Sequence, residues 1–114
     1  MEKARALVNA LHATTRNDLM VKDFGLCSQI QRAGVSIMSN IAEDFERRHL
    51  QEKLQFYNIA RGSAAEVRSL LYVIGDNYPG LLAHVAALHK LAVAAGKLVT
   101  GLIHSTEARK PKIS

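Results

Sequence analysis

Apolar residues recur at three- and four-residue intervals through four stretches, at about residues 3–14, 25–45, 50–77 and 79–105. That interval is the repeat of one face of an α-helix. In the first stretch Ala4, Leu7, Val8 and Leu11 share a side. A helix this short is marginal alone and must dock to persist. In the second, Leu26, Ile30, Ala33, Ile37 and Ile41 form a stripe widened by Cys27, Gly34, Met38 and Phe45, so burial over much of its circumference is expected. Asp23 is placed to cap its N-terminus, and Gly34 to admit a close helix contact. The third stretch carries a bundle seam of Tyr57, Ala60, Ala64, Val67, Leu71, Ile74 and Tyr78. A second row beside it, Phe56, Ile59, Leu70 and Val73, is interrupted by Ser63 and Glu66. Two neighbouring helices would cover so wide an arc.

Pro79 suits the first turn of the fourth helix. There, Leu88, Leu91, Ala95, Leu98 and Leu102 make one row, and Leu82, Val85, Ala92, Val99 and Ile103 another. A third row, Ala83, Ala87, Ala94 and Gly101, is small and uncharged, with only Lys90 and Lys97 set between its members. A surface helix ordinarily has one charged face, so this excess of apolar surface needs a cover. Two covers fit equally well: an interface with further copies of the chain, or the short first helix.

The breaks at residues 14–24, 45–49 and 77–80 and the lack of alternating strand patterns predict an all-α, up-and-down antiparallel four-helix bundle. It forms one domain over residues 1–105, followed by a flexible basic tail at 106–114 that includes Arg109, Lys110 and Lys112. The single cysteine, Cys27, cannot bridge within the chain and fits a reducing, cytoplasmic setting. The opening residues, with Glu2, Lys3 and Arg5 and the interruptions Asn9 and His12, read as an amphipathic helix rather than a leader. The longest uncharged run, 77–89, contains Pro79 and falls short of the ~20 residues of a membrane span, so no membrane is expected among the partners. A net charge of +5, from 15 Lys and Arg against 10 Asp and Glu, favours acidic partners such as nucleic acid.

The run Gln29, Ile30, Gln31, Arg32, Ala33, then Ser36, Ile37, then Asn40, Ile41, Ala42, Glu43, resembles the signature of the four-helix bundle proteins encoded in intervening sequences of 23S ribosomal RNA genes. Phe56, Ile59, Ala60, Arg61, Gly62, Ser63 and Glu66 are similar to that family's second motif. The likeness spans about residues 4–104, with the specific motif content in 26–75. Asp44 stands where the family usually has Gly, and Gln31 where it has a second Arg. The resemblance implies an up-and-down bundle that assembles as a ring-like homopentamer. Relatives include accessory proteins of diversity-generating retroelements, similar bundles that engage a reverse transcriptase and nucleic acid through basic surfaces. It assigns no ribosomal task.

Gln29, Arg32, Ser36, Asn40 and Glu43 lie on one face of the second helix, and Arg61, Ser63 and Glu66 are on the third. The simplest expectation is a structural polar network in which Arg32 pairs with Glu66 and Glu43 with Arg61. The competing one turns Arg32 and Arg61 into a groove to hold a phosphate or carboxylate. Candidate nucleic-acid contacts are Arg47, Arg48 and Lys53 near His49, diluted by Glu46 and Glu52. The heptad-spaced Arg61 and Arg68, and Lys90 and Lys97 with His104, are further candidates. Phe45, Phe56, Tyr57, Tyr72 and Tyr78 fall mostly on apolar rows, so salt-sensitive contact to the phosphate backbone is expected rather than base reading.

No enzyme motif stands out, so no catalytic residue and no cofactor is expected. His84 and His89 do not share a face and Cys27 has no ligand-spaced companion, which argues against a metal. Arg5 and His12 resemble the Arg and His pair of some helical ribonucleases, a distant third reading. The leading expectation is a non-enzymatic oligomeric accessory protein bound to RNA or DNA. The alternative is a scaffold for an acidic protein partner, and a reverse transcriptase or another acidic-surfaced protein fits either.

Overall fold

A computed structural model describes residues 1–44 and 49–109, with their side chains except at 43 and 44. Among the described residues there is no strand; the elements are α1 (Glu2–Thr15), α2 (Phe24–Asp44), α3 (Leu50–Asn77) and α4 (Leu82–Ala108), with a 3-10 turn at Pro79–Leu81. Successive helices pack on one another and α1 closes the ring against α4. The pairings run in opposite directions. Leu11 and Thr15 of α1 meet Gly34 and Gln31 of α2, Gln29 and Ser36 of α2 meet Glu66 and Ser63 of α3, and Ala64 and Gly75 of α3 meet Gly96 and Leu82 of α4. The result is an antiparallel four-helix bundle.

The predicted stripes are the core. Leu7, Leu11, Ile30, Ile37, Ile41, Val67, Leu71, Ile74, Leu88 and Val99 are all essentially inaccessible. Asp23 caps α2 as expected, its Oδ1 accepting from the Leu26 backbone N–H at 3.3 Å. Its second oxygen accepts from the Tyr78 hydroxyl at 2.6 Å, which ties the end of α3 to the start of α2. Gln31 donates its amide to Thr15 Oγ1 at 2.7 Å, a neutral tie between α1 and α2.

Three expectations need correction. Pro79 opens a 3-10 turn, and α4 begins only at Leu82. The fourth helix also continues past residue 105 to Ala108, because Thr106 is buried at 1 % exposure and holds that last turn against the bundle. And α3 is not covered along its whole second row: Leu70 is buried, but Ile59 and Val73 are 51 % and 42 % exposed.

On α4 the first helix covers part of the excess apolar surface, packing directly against it. The small row does not go with it: Ala83, Ala87 and Gly101 are exposed and Ala94 half-buried. By length and composition Pro79–Ala108 is apolar enough to cross a membrane. Here its Val85, Leu88, Ala92, Ala95, Val99 and Ile103 row faces the bundle core.

Two glycines separate packing from propensity. A Cβ on Gly34 would stand 2.7 Å from Leu11 Cδ1, so that methyl must shift within the core, where Leu11 is 1 % exposed. Overpacking costs about 1–3 kcal/mol, against up to ~1 kcal/mol gained when Ala replaces a helical Gly. A Cβ on Gly62 meets nothing within 4 Å, so only the gain remains. Urea melts should therefore move in opposite directions, down for Gly34→Ala and up by about 0.5–1 kcal/mol for Gly62→Ala.

Candidate nucleic-acid interface

Between α2 and α3 lies a groove of about 620 Å³ lined by Gln29, Arg32, Ser36, Ser63 and Glu66 together with small residues. At its floor the Ser36 and Ser63 hydroxyls share a hydrogen bond at 2.7 Å. The Asn40 amide donates to the Ser36 carbonyl at 2.8 Å and to its hydroxyl at 3.1 Å. This much of the expected polar network forms. The predicted ion pair between Arg32 and Glu66 does not. Glu66 Oε2 accepts instead from the Gln29 amide at 3.4 Å. Arg32 lines this groove and also the one between α1 and α2, so it stands on the outer ridge of α2, exposed, rather than turned toward α3. Arg61 donates to Asn58 Oδ1 at 2.8 Å on its own helix. Its expected partner, the Glu43 side chain, lies outside the described residues.

A different set of cations converges on the far side of α3. The groove between α3 and α4, about 420 Å³, is lined by Arg61, Ala64, Arg68, Val93, Gly96, Lys97 and Thr100. Two rows that the sequence offers as alternatives, Arg61 with Arg68 and Lys90 with Lys97 and His104, thus meet at three of their five members. Antiparallel packing is the cause, since it sets Gly96 beside Ala64 and so brings Lys97 level with the stretch between the two arginines. A Cβ on Gly96 would sit 3.4 Å from Arg68 Nη1, in ordinary contact, which places the guanidinium beside this stretch of α4. Among the described residues no carboxylate lines this groove. Arg61 is held by Asn58 but keeps further N–H donors. Lys90 and His104 are exposed on α4 outside the groove lining.

The other candidates fare differently. Arg47 and Arg48 lie outside the described residues, and Lys53 is half-buried in the first turn of α3. Arg5 is exposed, while His12 Nδ1 is engaged with the Val8 carbonyl at 2.9 Å. Tyr57 is buried as its row predicts, but Tyr72 is not: it is 67 % exposed and stacks at 4.8 Å between ring centroids, tilted by 54°, against His89. Its position one residue past Leu71, off the seam and four residues from Arg68, is the signal that sets it apart.

Cys27 is structural. Its buried thiol donates toward the Met20 and Thr15 carbonyls at 3.3 and 3.6 Å. Burial, reinforced by the Asp23 carboxylate, raises the thiol above its ordinary 9.0. The hydrogen bond to Asp23, with desolvation second, raises the Tyr78 hydroxyl above 10.0. Both groups hold their protons more tightly folded than unfolded, so their contribution is complete below those ordinary values and is lost as pH rises through the raised folded ones. The urea midpoint should fall through this alkaline range. In Tyr78→Phe the fall should be shallower, starting from a lower midpoint at neutral pH.

The family model described as 23S rRNA-intervening sequence protein matches residues 1–101 of this chain. No curated protein and no solved structure matches it.

Proposed function

The chain belongs to the 23S rRNA-intervening sequence protein family, and from that premise we propose that it is a non-enzymatic, cytoplasmic accessory protein that self-associates and holds nucleic acid between α3 and α4. The observation that carries this reading is the convergence of Arg61, Arg68 and Lys97 on one groove that no carboxylate lines among the described residues. Arg68 and Lys97 have no hydrogen-bond or ion-pair partner among the described residues, so their charge is available to phosphate.

Self-association rests on α4, whose exposed Ala83, Ala87 and Gly101 allow a second backbone to approach closely. The family resemblance implies a ring-like homopentamer. In a ring each groove is repeated around the axis, and several weak phosphate contacts combine through multivalency.

A second reading is favoured by the groove's floor. Val93, 42 % exposed, and Gly96 offer apolar surface between the cations, which would suit an acidic, amphipathic segment of a protein partner such as a reverse transcriptase. Light scattering on a size-exclusion column, with and without generic RNA across a salt series, separates the possibilities. A multi-subunit particle that gains RNA mass at low salt and sheds it at high salt supports the proposal. A particle indifferent to RNA at every salt concentration leaves the acidic-protein reading, and a monomer removes the self-association.

A further inference from the structure

Following the α3/α4 groove past Arg68, its basic stretch gives way to a second hollow lined by Leu71, Tyr72, Gly75, Asp76, Leu82, Val85, Ala86 and His89. The two are continuous in register, because Arg61, Arg68 and Tyr72 follow one another at seven and four residues along α3 and so share a face. Along the helix axis the three span about 16 Å at ~1.5 Å per residue. Cations come first, then an aromatic ring.

From this order, and resting on the phosphate-binding reading above, we propose that the groove takes single-stranded nucleic acid, with phosphates on Arg61, Lys97 and Arg68 and a base stacked on Tyr72. Three observations point the same way. Tyr72 is the most exposed ring on this face, at 67 %, in a protein whose core rows otherwise claim its tyrosines. His89 packs against it at 4.8 Å, tilted by 54°, and so backs one side of the ring. Leu82, 56 % exposed, gives apolar surface beside the ring for a base to cover. Asp76, which among the described residues is the one carboxylate lining this hollow, would repel a phosphate but not a base, so it marks the end of the phosphate track.

A duplex keeps its bases stacked inside and cannot offer one to Tyr72, whereas an unpaired strand can. Stacking is tolerant of base identity, so no sequence specificity is expected.

The test compares three probes of equal length on the full chain: an oligothymidylate, the abasic deoxyribose-phosphate chain, and the blunt duplex of the oligothymidylate with its complement. Wild-type protein should bind the oligothymidylate about fivefold to a hundredfold more tightly than the abasic chain. Tyr72→Ala should lower oligothymidylate affinity to the abasic level and leave abasic binding unchanged, and Tyr72→Phe should restore the preference. The chain has no Trp, so Tyr72→Trp supplies a single indole whose fluorescence should be quenched by the oligothymidylate and not by the abasic chain.

Equal binding of the abasic chain, or a duplex that outcompetes the single strand, overturns this inference and leaves the phosphate site standing. Failure of every probe to bind overturns both. A loss in Tyr72→Ala that comes with a changed particle mass assigns Tyr72 to a contact between copies, and that also overturns it.

Discussion

Replacing Arg61, Arg68 and Lys97 together by Gln should lower affinity for a generic single-stranded RNA by about two to three orders of magnitude at low salt. Each phosphate neutralised on a single strand contributes ~0.7 to the slope of log affinity against log salt. Three contacts therefore account for about 2 units of slope, and the loss should shrink toward nothing as salt approaches molar. Among the described residues no carboxylate lines this groove with the three cations, so their removal leaves none of its lining charges unpaired and should not unfold the bundle. A control with the same change in net charge, Lys3, Arg5 and Lys22 to Gln, neutralises exposed residues of α1 and the loop after it, which do not border the groove. It should keep most of the affinity and most of the slope. Fluorescence anisotropy across a salt series reads both quantities for both variants.

Leu71→Ala should be the most destabilising of the simple truncations. Leu71 is completely buried on the α3 seam, behind the hollow that holds Tyr72. Removing a buried Leu side chain costs about 2–5 kcal/mol, the lost transfer energy plus the cavity left behind. Against a typical total stability of about 5–15 kcal/mol that is a large share. Ile59→Ala, on the same helix but 51 % exposed, should stay within about 0.5 kcal/mol of wild type if that face is open to water. Urea denaturation followed by circular dichroism measures both. A cost at Ile59 comparable to that at Leu71 would mean that a further copy of the chain covers the second row of α3.

That contrast shows what periodicity conveys and what it does not. The spacing of Tyr57, Ala60, Ala64, Val67, Leu71 and Ile74 makes the seam legible, because only one phase of the helix can bury all of them. It is silent on how far the neighbours reach, so Ile59 and Val73 read as covered although within one chain they are exposed. Asp23 is legible as a cap because a carboxylate before a helical stripe has few other uses. Its second bond, to Tyr78, pairs residues far apart in sequence, and no local pattern announces it.

Charge is harder to read than apolarity. The Arg61 and Arg68 row and the Lys97 row are each visible as heptads, but only the antiparallel register of α3 on α4 shows that they border the same groove. The pairing expected between Arg32 and Glu66 fails for a related reason. Facing motifs on two helices identify the neighbours, whereas the rotation of α2 about its own axis decides whether Arg32 points across to α3 or out along the ridge. Tyr72 is missed because aromatic residues amid apolar rows are usually core; its offset of one from Leu71 carries the opposite meaning, which becomes readable once the seam is fixed.

The central claim is that the α3/α4 groove is where nucleic acid sits, and lysine acetylation footprinting tests it most directly because it works whatever the number of subunits. Lys3, Lys22, Lys90 and Lys97 are all exposed in the chain. With saturating single-stranded RNA at low salt, Lys97 should be strongly protected, Lys90 at the rim less so, and Lys3 and Lys22 not at all. Unchanged reactivity of Lys97 in the presence of bound RNA, with protection of Lys3 or Lys22 instead, would contradict the account.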